Sequence, residues 1–202
     1  MTKEIESIYD IIYKNDSTKN PESFIEIVEP KISIIESFKP TDQNDYFKTT
    51  RIISDYSLML SKIGDVKKSR IYLDKAIRLI ENDKKLIGKN LFQESLYEAL
   101  IANRAVNNFH IRKYKLAKND FKDLTINFPN NENYKKWLNK IRNKKFRLIE
   151  GGFLILIIIG TISSLYFVRN DGILNILSIA ILIIGLTGSL TSKIIKRRLK
   201  MK

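Results

Sequence analysis

The sequence predicts an all-α protein in which antiparallel helix pairs are followed by a two-helix transmembrane hairpin. Up to about residue 148, apolar residues recur at intervals of three and four. That is the period of an amphipathic helix, and no segment shows the sustained alternation of a strand. Residues 151–168 and 172–191 are two uncharged, apolar stretches. As helices, both are long enough to cross a hydrocarbon core of about 30 Å.

These observations divide the chain into four predicted segments. They are a cytosolic helical domain at 1–133, a basic juxtamembrane helix at 134–150, a transmembrane hairpin at 151–192 and a basic cytosolic tail at 193–202.

Turn residues and caps set the predicted limits of the helices. Pro30 is expected to kink or split the second helix, because proline lacks the amide hydrogen that a helix interior requires. Gly64 and Asp65 predict a tight turn, in which the glycine ends one helix and the aspartate caps the next. The predicted helices span about 3–14, 21–38, 43–63, 66–81, 85–108, 112–127 and 131–148. The side chains predicted to point inward include Ile34, Ile63 and Leu148.

Positive charge is concentrated in and next to the apolar stretches. Residues 1–133 carry 22 Lys and Arg against 20 Asp and Glu, whereas 134–150 and 151–202 each carry seven against one. This distribution favours a membrane interface over a nucleic-acid groove. By the positive-inside rule, both termini are expected in the cytoplasm and the short loop outside. The expected location is the bacterial inner membrane or an equivalent cytosol-facing membrane.

Basic and small residues define two further expectations for the membrane region. Several basic residues are predicted to set the topology and to contact anionic headgroups, namely Lys136, Lys140, Lys144, Arg147, Lys196, Arg197 and Arg198. Reflecting the hairpin about its loop places Gly152 near Gly188, and Gly160 near Ala180. Small residues at those positions are expected to let the two helices approach closely.

The sequence carries none of the patterns that catalysis or cofactor binding usually requires. It contains no cysteine, so disulfides and thiolate chemistry are excluded. The single histidine, His110, has no second histidine or acidic cluster nearby to form a metal site. No phosphate loop, dinucleotide fingerprint, nucleophile elbow or zinc-protease motif is present. We therefore expect no enzymatic activity and no cofactor, and nucleic acid is not an expected partner.

Two segments resemble the turn and second helix of a tetratricopeptide repeat. The residues that carry the resemblance are Gly64-Asp65-Val66 with Ser69, Leu73 and Ala76, and Lys113-Tyr114 with Ala117, Phe121, Leu124 and Pro129. The resemblance covers about residues 50–130, and 1–40 more weakly. The two segments lie 48 residues apart, where the family's period is 34, so the connecting helices must be longer or the connection irregular. Arg104 and Ala105 stand where the family has an apolar residue and a glycine.

The resemblance implies a membrane-anchored scaffold or adaptor that binds a protein or peptide on the concave surface of the first helices of each pair. The partner-binding residues that it implies are Arg51, Asp55, Lys62, Asn103 and His110. The helix at 131–148 would then cap the array. A different function stays open, in which the hairpin perturbs the bilayer after the helical domain senses a signal or oligomerises. A homo-oligomer is also compatible with the sequence.

Overall fold

Helices form nearly all of the computed structural model, which describes residues 2–14, 20–83, 91, 94–167 and 172–200. They are α1 (Thr2–Lys14), α2 (Pro21–Val28), α3 (Ile32–Ser37), α4 (Gln43–Lys62), α5 (Val66–Glu81), α6 (Ser95–His110), α7 (Tyr114–Asn127), α8 (Glu132–Phe167) and α9 (Gly172–Lys200). No strand occurs within these ranges. The chain divides into two units, Met1–Trp137 and Leu138–Lys202. The predicted all-α class, with paired helices followed by two long apolar helices, is confirmed.

Local sequence signals place most of the helix ends. A 3₁₀ turn at Glu29–Lys31 separates α2 from α3, which confirms the predicted break at Pro30. Asn20, Asp42 and Asp65 each cap a helix, because their side chains accept hydrogen bonds from amides two or three residues later. The helix predicted at 85–108 is found at Ser95–His110. Residues 84–90 and 92–93 of that region lie outside the described part of the chain.

The core of the first unit lies between helix pairs that are stacked side by side. α4 packs against α5, its partner in the turn, and also against α1, α2 and α6. α6 packs in the same way against α5, α7 and α4. The largest fully buried side chains of these helices include Tyr56, Phe24, Phe121, Ile52, Leu73 and Leu100.

Three side chains predicted to point inward are exposed. Ile34 is exposed because α3 is a short helix that buries only the face of Ile35. Ile63 lies beyond the last residue of α4, at its C-cap. Leu148 is 60% exposed. It lies in the second unit and not in the core of the first, because α8 continues without a break to Phe167. The predictions for these three residues are therefore wrong.

Aromatic residues at the start of α8 cover the last helix pair. The Trp137 ring stacks on Phe121, with centroids 5.4 Å apart and an angle of 7° between the planes. Its edge also meets the Phe109 ring at 5.3 Å. The Tyr134 hydroxyl donates a hydrogen bond to Glu98 Oε1 at 2.5 Å. The first turns of α8 thus occupy the place where a capping helix was predicted.

The α4–α5 and α6–α7 turns share one backbone geometry. In each turn an amide donates to the carbonyl five residues earlier, at 3.0 Å from Asp65 and at 2.8 Å from Lys113. The residue before that amide has a positive φ, which is +85° at Gly64 and 64° at Arg112. The corresponding residues are 48 positions apart, the same spacing as the matching sequence segments. Both turns therefore end a helix with a residue in the left-handed conformation, which is a common form of helix C-terminus.

Glycines bring α8 and α9 together in the second unit. A Cβ placed on Gly160 would lie 2.9 Å from the Leu182 amide nitrogen, and one on Gly185 would lie 3.0 Å from the Ile157 amide nitrogen. Real side chains do not tolerate such approaches to the backbone. The two helices can therefore pack this closely only because glycine occupies both positions.

The predicted register of this hairpin is wrong by a few residues. Gly160 faces Leu182 instead of Ala180, which is exposed. Gly188 lies under the ring of Phe153, whereas a Cβ on Gly152 would meet no atom within 4 Å. The prediction assumed that residues equally far from the loop face each other. In the structure the large Phe153 ring packs over Gly188 instead, which shifts one helix along the other.

Exchanging the two turn residues is expected to change stability in opposite directions. Arg112→Gly should raise the free energy of unfolding by about 0.5–1 kcal/mol, because the left-handed conformation strains any residue with a Cβ. Gly64→Arg should lower it by about 1 kcal/mol through the same strain. The measurement is urea unfolding of the full chain in detergent micelles, followed by the fluorescence of the single tryptophan, Trp137.

The control is Lys122→Gly, on an exposed position in the interior of α7. It should destabilise the protein by about 1 kcal/mol, as glycine does inside a helix. A loss of stability in Arg112→Gly would contradict the strain assigned to this turn.

Candidate functional site

Two exposed stripes on α4 and α6 form the candidate site, which we call the α4–α6 groove. α4 and α6 are the first helices of consecutive pairs, and they pack against each other. Residues three, four or seven apart leave one exposed or half-buried stripe on each helix. The stripes consist of Phe47, Arg51, Asp55, Leu58 and Lys62 on α4, and of Leu96, Ala99, Asn103, Val106 and His110 on α6.

The two stripes meet at a cavity of about 220 Å³ near the beginning of both helices. Its apolar lining comes from Tyr46, Phe47, Ile80 and Leu96. Phe47 is 58% exposed, although a phenylalanine gains most when it is buried. Thr50 also lines the cavity, and its buried hydroxyl has no hydrogen-bond partner in the structure. The cavity thus combines exposed apolar surface with an unsatisfied polar group.

Polar and charged side chains form the rim of the cavity. Gln43 donates to the Asp83 carboxylate at 3.3 Å. Glu94, at the N-cap of α6, is exposed. Among the described residues of the lining, Arg51 is the one cation, and its Nε donates to Asp55 Oδ2 at 2.7 Å.

Asp55 links α1 to α4, because its carboxylate is already hydrogen-bonded within the protein. The Tyr13 hydroxyl of α1 donates to Asp55 Oδ2 at 2.7 Å, in addition to the bond from Arg51. Burial, followed by the charge of Asp55, raises the pKa of Tyr13 well above its usual value, so the phenol keeps its proton and remains a donor. Arg51 and Asp55, both predicted to bind a partner, are therefore brought together in one network, with Arg51 on the cavity side.

The other predicted partner-binding residues lie farther along the same stripes. Lys62 is exposed at the end of α4, and His110 is exposed at the end of α6 with its ring edge-on to Phe109 at 5.9 Å. Asn103 is half-buried, and its side-chain amide donates to the Ala99 carbonyl of its own helix at 2.8 Å. The structure thus places these three away from the cavity.

Sequence reasoning missed Phe47, Leu96 and Thr50. Apolar residues at helical spacing are usually core residues, so the sequence alone gave no reason to expect exposure at Phe47. The one available signal was that Phe47 shares a helix face with Arg51 and Asp55, four and eight residues later.

The basic residues predicted to contact headgroups are only partly described. Lys136, Lys140, Lys144 and Arg147 are exposed on α8. The side chains of Lys196, Arg197 and Arg198 lie outside the described part of the chain, although their backbone belongs to α9.

A half-buried ionic cluster connects α6 and α7 with α5. Arg104 of α6 binds Asp120 of α7 through two hydrogen bonds, at 2.7 and 3.2 Å. Asn108 donates to the same carboxylate at 3.4 Å and accepts from Arg70 of α5 at 2.8 Å. Asp74 lies 3.6 Å from Arg104 and 3.4 Å from Arg70. Burial raises the pKa of the Asp120 carboxyl, whereas Arg104 and Asn108 act against that shift.

A second chain of buried hydrogen bonds extends this contact to α4. Ser61 donates to Asn107 Oδ1 at 3.1 Å, and Asn107 Nδ2 donates to Ser69 Oγ at 2.8 Å. The Ser69 hydroxyl in turn donates to the Ser57 carbonyl at 2.8 Å. These side chains therefore hold α4, α5 and α6 together, because they find their hydrogen-bond partners only in this register of the three helices.

Comparisons with known proteins do not assign the groove to a family. No protein-family model, no curated protein and no solved structure matches the chain. The resemblance to tetratricopeptide repeats therefore stays a prediction, and the site is interpreted from its own geometry.

Removing one partner of the buried ion pair is expected to destabilise the first unit. Asp120→Ala should lower the free energy of unfolding by about 1–2 kcal/mol, because half-buried Arg104 then loses two hydrogen bonds and keeps only Asp74, 3.6 Å away, as a partner carboxylate. Asp123→Ala, at an exposed position of the same helix, should change it by less than about 0.5 kcal/mol. Urea unfolding of the full chain in micelles, followed by Trp137 fluorescence, measures both.

Replacing both charges should recover most of that loss. The double variant Arg104→Leu with Asp120→Leu leaves no buried charge uncompensated. Equal effects of Asp120→Ala and Asp123→Ala would show that the ion pair does not hold α7 against α6.

Proposed function

We propose that this protein is a membrane-anchored scaffold whose α4–α6 groove binds a segment of a protein partner. The single observation that carries the proposal is the cavity between the two stripes, where Phe47 is 58% exposed beside Leu96 and Ile80. A partner side chain in this cavity would bury the apolar surface that is now open, at a gain of about 25 cal/mol per Å². Such exposed concave surfaces are typical of interaction sites.

Two long apolar helices support the membrane part of the proposal. α8 and α9 each contain a stretch that is long and apolar enough to cross a membrane, at Glu132–Leu165 and Ile176–Ile195. Many large apolar side chains of these stretches point outward, among them Leu154, Ile158, Ile162, Ile183 and Leu190. A hydrocarbon environment would accommodate them, whereas water would not.

The polar side chains of the hairpin favour an anchor over a bilayer-perturbing effector. Ser178, Ser189 and Ser192 are buried in the second unit, so they offer no polar stripe to water. Thr161 and Thr187 are exposed, but each hydroxyl donates to a carbonyl of its own helix at 2.8 Å. The Thr161 and Thr187 hydroxyls therefore have hydrogen-bond partners without water, which suits a lipid-facing surface.

In this proposal the protein holds a partner at the membrane surface and catalyses no reaction. The basic residues on either side of the hairpin keep both termini in the cytoplasm, with the groove on the same side. A partner held in the groove is confined to the membrane surface, so its effective concentration for other membrane-bound molecules rises.

A photocrosslinker at Phe47 is expected to capture the partner. Phe47 is replaced by p-benzoylphenylalanine in the full chain, which is expressed in its native host and irradiated. The matched control is the same replacement at Ile71, which is 62% exposed on α5 outside the groove. We expect a discrete higher-mass adduct from position 47 and none from position 71, and Arg51→Glu should weaken that adduct. Equal crosslinking from both positions would contradict the groove.

Cysteine labelling tests the proposed orientation without interference, because the chain contains no cysteine of its own. A membrane-impermeant maleimide should label Asn170→Cys in intact spheroplasts. It should label Lys62→Cys only after the membrane is permeabilised. Labelling of Lys62→Cys in intact spheroplasts would overturn the cytoplasmic placement of the groove.

A further inference from the structure

The turn between α6 and α7 concentrates positive charge on one exposed surface of the first unit. We propose that this turn, with Arg112 and Lys113 at its tip, binds the anionic lipid headgroups of the membrane that holds the hairpin. The inference rests on the membrane anchor of the proposed function and goes beyond it, and it does not depend on the α4–α6 groove.

The cations of this turn have no acidic neighbours along the chain. No aspartate or glutamate occurs between Glu98 and Asp120. Four cations of that segment are exposed, and none of them forms an ion pair with any residue that the structure describes, namely Arg112, Lys113, Lys115 and Lys118. The fifth, Arg104, is paired with Asp120. The segment around the turn is therefore positively charged.

The neighbouring turn, between α4 and α5, extends this charge. The Ser61 hydroxyl donates to Asn107 Oδ1 at 3.1 Å, which places the end of α4 beside the end of α6. Lys62 and Lys67 are exposed on either side of that turn, and the carboxylate between them, Asp65, caps α5. The two turns therefore present one surface with more basic than acidic side chains.

Arg112 is held in a backbone conformation that folding alone does not favour. Its φ is 64°, whereas the equivalent residue of the α4–α5 turn is Gly64, with a φ of 85°. A residue with a Cβ is strained in this left-handed region, and glycine is not. Such strain is found mainly at positions where the side chain has a function. Here the side chain is an exposed guanidinium, whose donors match the oxygens of a phosphate.

Aromatic packing joins this turn to the part of the chain that leads into the apolar stretches. The Phe109 ring meets Tyr114 at 5.5 Å and Trp137 at 5.3 Å, so the end of α6, the beginning of α7 and the first turns of α8 are held together. Trp137 precedes Gly151, the start of the first apolar stretch, by fourteen residues. Fully extended, that length of chain reaches at most about 50 Å. The tether therefore keeps the turn at a high effective concentration near the bilayer.

An anionic membrane fits this surface better than a nucleic acid does. An anionic leaflet attracts lysine and arginine near its surface, and each of them shifts the binding equilibrium by roughly fivefold. Single-stranded nucleic acid is usually bound by aromatic rings that stack on its bases. The rings of Phe109, Tyr114 and Trp137 are instead half-buried and pack on one another. Binding of the turn to headgroups would orient the first unit on the membrane, whereas the hairpin by itself only tethers it.

Fluorescence quenching by labelled headgroups tests this inference on the full chain. A bimane probe is attached to Asn119→Cys, at an exposed position of α7 near the turn, in a chain that contains no other cysteine. The matched control is Asn130→Cys, which is exposed beyond the other end of α7. Each protein is placed in phosphatidylcholine nanodiscs that contain a lipid with a spin-labelled headgroup, either without phosphatidylglycerol or with one third of it.

The anionic nanodiscs should change the quenching at one position only. We expect quenching at position 119 to be about twofold stronger in the anionic discs than in the neutral ones, and quenching at position 130 to be the same in both. High salt should abolish the difference at position 119, because it screens the attraction between exposed charges.

Charge variants identify the residues that bind. Arg112→Gly combined with Lys113→Gln should lower the binding equilibrium by roughly twenty-five-fold, so that quenching in anionic discs falls to the neutral level. Arg112→Lys retains the charge and should retain the quenching. The matched control Lys122→Gln removes an exposed cation from the interior of α7 and should leave the quenching unchanged. Arg112→Gly is expected to stabilise the fold, so unfolding would not explain a loss of binding, and Trp137 fluorescence verifies the fold of each variant.

The outcomes separate this inference from the proposed function. Equal quenching at position 119 in neutral and anionic discs would overturn the headgroup contact and leave the anchor and the groove in place. Equal losses in Lys122→Gln and in the double variant would also overturn it, because the attraction would then depend on total charge alone.

Two further results would contradict the inference in different ways. If the protein in neutral discs bound a labelled RNA oligonucleotide and the double variant did not, while quenching stayed equal in both kinds of disc, the turn would be a nucleic-acid site instead. A chain that did not enter nanodiscs at all would contradict the membrane anchor, and this inference with it.

Discussion

The register of α5, α6 and α7 depends on one half-buried ion pair, between Arg104 of α6 and Asp120 of α7, and on its contacts with α5. A guanidinium group that leaves water loses its hydration, and only a carboxylate in the right place compensates for that loss. Two hydrogen bonds to Asp120, with Arg70 and Asp74 close by, provide that compensation in one arrangement. Apolar side chains alone would tolerate small shifts of one helix pair along the other, whereas this cluster does not.

The form of the groove depends on which of its side chains already have hydrogen-bond or ion-pair partners within the protein. Asp55 is held by Tyr13 and Arg51, so the middle of the α4 stripe is tied to α1. Near the start of α4, in the described part of the chain, the Phe47 ring is 58% exposed and the buried Thr50 hydroxyl has no hydrogen-bond partner. Both observations together make the cavity, and not the whole stripe, the best-supported place for a ligand.

The helix contacts of the second unit have a different physical basis from those of the first. In the first unit, polar side chains at helix contacts specify register, because water competes for every exposed position. In the hairpin, the helix contact consists of glycines and serines, and large aliphatic side chains point outward. Close backbone approach at Gly160 and Gly185 replaces the ionic cluster as the source of specificity. The two kinds of contact suit the two solvents that the proposed function requires.

The sequence by itself determined the helical class, the helix ends at Asp42, Gly64 and Asp65, the break at Pro30 and the two apolar stretches. Each of these depends on neighbouring residues, through caps, periodicity and the conformational limits of proline and glycine. Only the tertiary structure decided that Phe47 is exposed, that Asp55 is bound by a tyrosine 42 residues away and that Gly160 faces Leu182. Those contacts depend on how far one helix is shifted along another, and local periodicity carries no information about that shift.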